Sequence, residues 1–220
     1  MTAPAAPRSG TPYPEPLATT EGTALRRRLL LLGLAGTLPA CSLQTPYVEP
    51  LRFPLTPLRT GAPARAQGRR TLLLRLASAA PGLEGRLLRT VNPDGTVSFE
   101  NYAEWTAAPA EGAEAALRQW LIASGLFSAV LSAGSRATAD LVLEMELTSL
   151  HADLGRGEAR AALSAVLLRE NGTVAAQSVN IGTAPLPADR PLRPEPRAQA
   201  MVAALGNALS GLEAVLARFA

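Results

Sequence analysis

The stretch Asp140-Leu141-Val142-Leu143-Glu144-Met145-Glu146-Leu147-Thr148-Ser149-Leu150 decides the fold. Leu141, Leu143, Met145 and Leu147 fall on one side, and Val142, Glu144, Glu146 and Thr148 on the other. Successive side chains of a strand point to opposite faces, so this alternation predicts one covered face and one wet face. Such a sheet needs a layer of helices on one side only.

Two helices are available to cover it. Ala113, Ala116, Leu117, Trp120 and Leu121 recur at helical spacing, and Gly125 follows as a terminator. Near the end of the chain, Met201, Val202, Leu205, Leu209, Leu212, Leu216 and Phe219 repeat at three and four. Further strands flank the central one. Residues 158–169 and 173–181 read as strands joined by Asn171-Gly172, a strong hairpin signal. Residues 86–91 and 96–102 are joined by Asn92-Pro93-Asp94-Gly95, a turn by composition. Residues 71–76 form another strand, ended by Pro81-Gly82, and residues 127–131 a short extended segment. The sequence therefore predicts an α+β fold, a two-layer domain in which two main helices pack on a largely antiparallel sheet.

The N-terminal quarter carries an address instead of a core. Residues 1–25 are rich in Pro, Ala and Thr. Arg26-Arg27-Arg28 then precedes Leu29-Leu30-Leu31-Leu32-Gly33-Leu34, and the run ends Leu38-Pro39-Ala40-Cys41. A basic region, a short apolar run and a small residue before the cut make a signal peptide. The run is too short to span a bilayer, which takes about 20 apolar residues. Leu-Pro-Ala-Cys resembles the bacterial lipobox, in which the Cys thiol is acylated before cleavage. Cys41 is the one cysteine in the chain, so no disulfide competes for it. Each buried methylene of an acyl chain contributes about 0.8 kcal/mol, and two or more chains hold stably. Residues 1–40 are thus expected to be removed and Cys41 to be the lipidation site, acylated with chains such as palmitate. Ser42, where an Asp would favour inner-membrane retention, points to an outer-membrane anchor on the periplasmic side, with the inner membrane still open. Residues 41–69, interrupted by Pro46, Pro50, Pro54, Pro57 and Pro63, read as a tether with one irregular edge strand at 53–58. Residues 70–220 are the α+β domain.

Composition narrows the chemistry. All 21 basic residues are Arg; four of them and two of the 18 acids precede Cys41. The mature chain is therefore close to neutral, with no basic stripe of the kind a nucleic-acid partner requires. One His, His151, and one Cys cannot build a zinc site. His151, Asp153 and Asp140 read as a strand end and a loop, with a solvated histidine. No nucleophile motif or phosphate loop is present. The expectation is no enzyme, no cofactor and no metal. Trp105 and Trp120 are the candidates for binding a lipid or partner, although core packing accounts for both.

Several segments together resemble the ABC-type transport auxiliary lipoproteins, the family that includes the lipoprotein of the paraquat-inducible intermembrane system. Pro81-Gly82-Leu83 precedes a basic strand at 86–89, and Val97-Ser98-Phe99 leads through Tyr102 to Ala103-Glu104-Trp105. Leu117 and Leu121 lead to Ser124-Gly125-Leu126-Phe127-Ser128-Ala129-Val130. Ala139-Asp140-Leu141-Val142-Leu143-Glu144-Met145-Glu146-Leu147 then resembles the family's central strand, and an Ala/Leu-rich helix closes the chain. The family's opening Tyr-x-Leu strand is replaced here by Phe53-Pro54-Leu55-Thr56-Pro57-Leu58. The resemblance implies a non-catalytic, membrane-anchored component working with an ABC permease, its ATPase and a periplasmic mammalian-cell-entry (MCE) domain protein to move lipids or other hydrophobic molecules. It rests on analogy of fold and order. An independent periplasmic lipid carrier and an outer-membrane assembly lipoprotein remain alternatives, and self-association into a homo-oligomer stays open.

Overall fold

The longest strand organises the molecule. In the computed structural model, which describes residues 47–63, 68–75, 78–188 and 192–220, the central strand β7 runs over Leu141–Asp153. Leu141, Leu143, Met145 and Leu147 are buried, whereas Val142, Glu144, Glu146 and Thr148 are partly open, as the alternation requires. A register shift between Leu147 and Ser149 resets the phase, so Leu150 and Ala152 continue the buried side.

Two long antiparallel ladders extend from one edge of β7. It pairs with β8 (Glu158–Arg169), which pairs with β9 (Val174–Pro185), the far edge. The β8–β9 hairpin closes at the Asn-Gly signal, where Gly172 N–H donates to Arg169 and Arg169 N–H to Thr173. The other edge of β7 is shared by three short strands lying end to end. These are β2 (Thr71–Leu74), β3 (Ser78–Ala79) and β4 (Leu87–Val91), each parallel to β7. Beyond them, β4 pairs antiparallel with β5 (Val97–Trp105), β5 pairs parallel with β1 (Leu51–Phe53), and β2 pairs parallel with β6 (Ala129–Leu131). The nine strands make one mixed sheet whose long ladders are antiparallel.

Strands β5 and β9 run on to Trp105 and Pro185, past the expected ends at 102 and 181, and three further features depart from the sequence expectation. The edge strand near the start is Leu51–Phe53 rather than 53–58, because Pro54 and Pro57 cannot donate to a ladder. Ser78–Ala79 pairs with Glu146–Leu147 although two residues carry no periodicity. His151 sits inside β7, not in a loop, since the strand runs three residues past Leu150.

Two helices cover one face. Helix α1 (Pro109–Ser124) opens with proline and ends at Gly125 in the left-handed conformation. Its buried residues include Ala113, Ala116, Leu117, Trp120 and Leu121, the stripe read from the sequence. Helix α2 (Pro194–Leu216) lies along β8 and β9. Gly182 of β9 explains how closely it does so: a Cβ there would stand 2.1 Å from the Ala204 carbonyl oxygen and 2.3 Å from the Ala208 nitrogen. Leu and Ala dominate the core between the layers.

Candidate functional site

Helix α2 is apolar on more sides than the sheet can cover. Its most apolar 18-residue window has a mean hydropathy of 1.2, yet only half of that window is buried. A helix apolar all round ordinarily lies within a core. Here Met201, Ala204, Leu205, Ala208, Leu209 and Leu212 face inward. Val202, Ala203, Ala214 and Ala217 line the wall of a groove instead.

The opposite wall is the Pro-rich segment 53–61. Two prolines and the loss of ladder hydrogen bonds keep this segment extended after β1. It crosses both helices through close approaches. Leu55 is buried, and a Cβ on Gly112 of α1 would stand 3.2 Å from its side chain. A Cβ on Gly206 of α2 would meet Pro57 Cβ at 3.3 Å. The resulting groove of about 790 Å³ is lined by Phe53, Pro54, Pro57, Leu58 and the outer face of α2, with Trp120 at its base. Leu58, 87% exposed, stands on its rim.

One carboxylate holds these walls together. Glu213 of α2 accepts two bonds from Arg59, Nε to Oε2 at 2.9 Å and Nη2 to Oε1 at 2.7 Å. It also accepts the Trp120 indole N–H at Oε2, at 2.6 Å. Arg59 donates further to the carbonyls of Gly61 and Ala62, so its guanidinium locks segment 53–61 onto α2. The Arg59 side chain is only 9% exposed and that of Glu213 19%, which makes this a sheltered, bidentate pair. The bond from Arg59 holds the Glu213 carboxyl below its ordinary range; the Trp120 bond and the charge of Arg59 act the same way, and desolvation opposes them.

The residues singled out from sequence separate here. Trp120 is buried, as part of the core, and its ring edge also forms the groove base. Trp105 is buried in the core and outside the groove lining. Cys41 and the lipobox lie outside the described residues. Arg59 and Glu213 were not legible as a pair, because 154 positions separate them. Their only sequence signal is a charged residue within each of two otherwise apolar segments. Among the described residues no group of three or more His, Cys, Asp or Glu side chains is placed to hold a metal. The groove offers shape and apolar contact, with Gln199, Asn207 and Ser210 as polar edges.

No family model and no curated protein matches the sequence. Solved structures do share the fold. A Xanthomonas campestris protein of family DUF330 superposes with a TM-score of 0.64 at 18% identity, covering 76% of this chain and 95% of its own. An uncharacterised protein superposes with a TM-score of 0.56 at 16% identity, covering 78% and 99%. At these identities the likeness is one of fold. The PelC dodecamer of Paraburkholderia phytofirmans superposes with a TM-score of only 0.40 at 18% identity, over 70% of this chain and 92% of its own.

Proposed function

We propose that this chain is a cell-envelope lipoprotein, anchored through acylated Cys41, that acts by binding a partner rather than by catalysis. The partner is a component of an MCE-type ABC transporter that moves lipids or other hydrophobic molecules between membranes. The observation that carries the binding reading is the groove between segment 53–61 and α2. An apolar helix face is left uncovered there, and a dedicated salt bridge holds the facing wall in place. Apolar surface left open in a preformed groove is a feature of docking sites. The transporter assignment comes from the resemblance in the sequence; the outer membrane, periplasmic side, is the location that Ser42 favours.

The geometry favours an accessory over a self-contained carrier. A carrier must shield acyl chains from water on all sides, whereas this groove is open along the helix and its rim carries exposed Leu58. An open apolar trough suits a segment of partner protein laid against α2, in the manner of helix-in-groove recognition. The test is affinity purification of the tagged, lipidated protein from its own cells, beside an Ala203→Arg variant. Ala203 is exposed and lines the groove, so the change blocks it without entering the core. The wild type is expected to recover the MCE-domain protein or the permease, and the variant to lose them. Recovery of phospholipid with no transporter component would establish the carrier instead.

A further inference from the structure

The face of the sheet opposite the helices carries a row of side chains that the groove does not use. Arg160 of β8 stands opposite His151 of β7, and Thr183 of β9 stands opposite Arg160. On the other side, β4 pairs parallel with β7 through Thr90–Ala152 and Val91–Asp153, so one step back Arg89 lies beside His151. Phe99 of β5 is opposite Arg89. The alternate residues Leu88, Thr90, Ala152, Ala159 and Ala161 are all buried on the helix side. Phe99, Arg89, His151, Arg160 and Thr183 thus form one cross-strand line on the open face.

Adjacent strands lie about 4.8 Å apart, which puts the two arginines about 10 Å from each other with the imidazole between them. Their guanidiniums are long enough to converge above that ring. Neither arginine pairs with a carboxylate among the described residues, and Arg89 Nε is buried without a hydrogen-bond partner. Ser149 Oγ engages His151 Nδ1 at 3.0 Å, leaving Nε2 for another partner. The acids nearest the row are Asp153 and Glu158, which face each other two residues along the β7–β8 ladder. Asp153 is occupied by Arg156, through its backbone N–H at 2.9 Å and its guanidinium at 3.6 Å. Two cations thus flank a half-buried imidazole, and one of them has a buried donor without a partner, a pattern that an anionic acceptor would satisfy.

We propose that Arg89, His151 and Arg160 form a binding site for a phosphoryl group. Guanidiniums match phosphate oxygens bidentately, and a tetrahedral phosphoryl offers enough oxygens for both arginines and the imidazole at once. Half-exposed Phe99, opposite Arg89, and Val97, two residues along β5, supply an apolar border, so the phosphoryl source is either a phospholipid headgroup or free phosphate. The site is independent of the groove, from which the sheet separates it.

His151 is the sole histidine of the chain, so its ring nitrogens give one assignable NMR signal. In the unliganded protein, burial lowers its pKa, Arg89 and Arg160 lower it further, and Asp153 opposes them. A bound phosphoryl anion must raise it. The experiment titrates the full chain in maltoside micelles with inorganic phosphate, with micelle-dispersed phosphatidylglycerol, and with chloride at matched ionic strength. Saturable movement of the His151 resonance, with a raised pKa, is expected from phosphate or phosphatidylglycerol and not from chloride. Movement by phosphate at millimolar concentration names the free anion; movement by phosphatidylglycerol alone names the headgroup. Arg160→Gln should weaken binding about tenfold or more. Arg89→Gln should do the same; Arg89 is partly buried, so if Arg89→Gln fails to fold, Arg160→Gln decides. A resonance that neither ligand moves overturns the site. So does movement that persists in Arg160→Gln, or that needs molar phosphate, which would mark an adventitious ion only.

Discussion

Replacing Glu213 with alanine removes the one group that ties the two walls of the groove to its base. Three charge-assisted bonds disappear together. The Trp120 indole N–H loses its acceptor at a buried position, which costs about 1–3 kcal/mol. The ion pair lies between the exposed case, worth about 0.2–1 kcal/mol, and the buried case of about 3–5 kcal/mol. Arg59 keeps the Gly61 and Ala62 carbonyls, and the carboxylate is partly wet, so the lower half of that span applies. The expected loss is about 2–4 kcal/mol, a fall in melting temperature of roughly 5–15 °C for a domain of this size. Glu213→Gln keeps an acceptor for the indole and should cost about half as much. The pH dependence carries a sign. The folded carboxyl titrates below its unfolded value, so its contribution is complete above about pH 4.5 and disappears as pH falls through the folded pKa. Thermal melts of wild type, Glu213→Ala and Glu213→Gln between pH 3 and 7 check this. The curves should separate at neutral pH, and the gap between wild type and Glu213→Gln should close in acid. Equal melting temperatures at pH 7 would refute the idea that this cluster holds the groove together.

Trp120→Ala should destabilise by about 3–5 kcal/mol, since the ring is both core and groove base; a denaturant titration reads it. Gly182→Ala should cost about 3 kcal/mol or more, because the added methyl meets backbone of α2 that cannot rotate aside; the same titration shows it. Ala203→Arg, on the exposed groove wall, should leave stability within about 0.5 kcal/mol while abolishing partner recovery. Metabolic labelling with a fatty-acid probe should mark the wild type and miss Cys41→Ser; equal labelling would remove the anchor.

Local patterns carried the layers of this fold, and long-range pairing carried what the patterns missed. The alternation at Leu141, Leu143, Met145 and Leu147 announced a one-sided sheet, and the stripes through Trp120 and through Leu205, Leu209 and Leu212 announced the two helices that cover it. Nothing local says that residues 71–74, 78–79 and 87–91 line up parallel along a single edge of β7. That order depends on connections and on which edge remains free after the β7–β8 hairpin forms. The groove was half legible. Trp120 was singled out, but Arg59 and Glu213 meet only because segment 53–61 folds back over α2. The apolar alternation read from the sequence stops at Leu150, which places His151 in a solvated loop. The shift at Leu147–Ser149 lets the strand continue and places His151 between two arginines.

The central claim is that the uncovered face of α2 is where a transporter component docks. Its most direct test is site-specific photo-crosslinking in intact cells, with the reactive side chain placed at Ala203 in the groove and, as a control, at Val179 on the opposite face of the sheet. The account predicts an adduct to the MCE-domain protein or the permease from Ala203 and none from Val179. Adducts from Ala203 containing only phospholipid, or identical protein adducts from both positions, would contradict it.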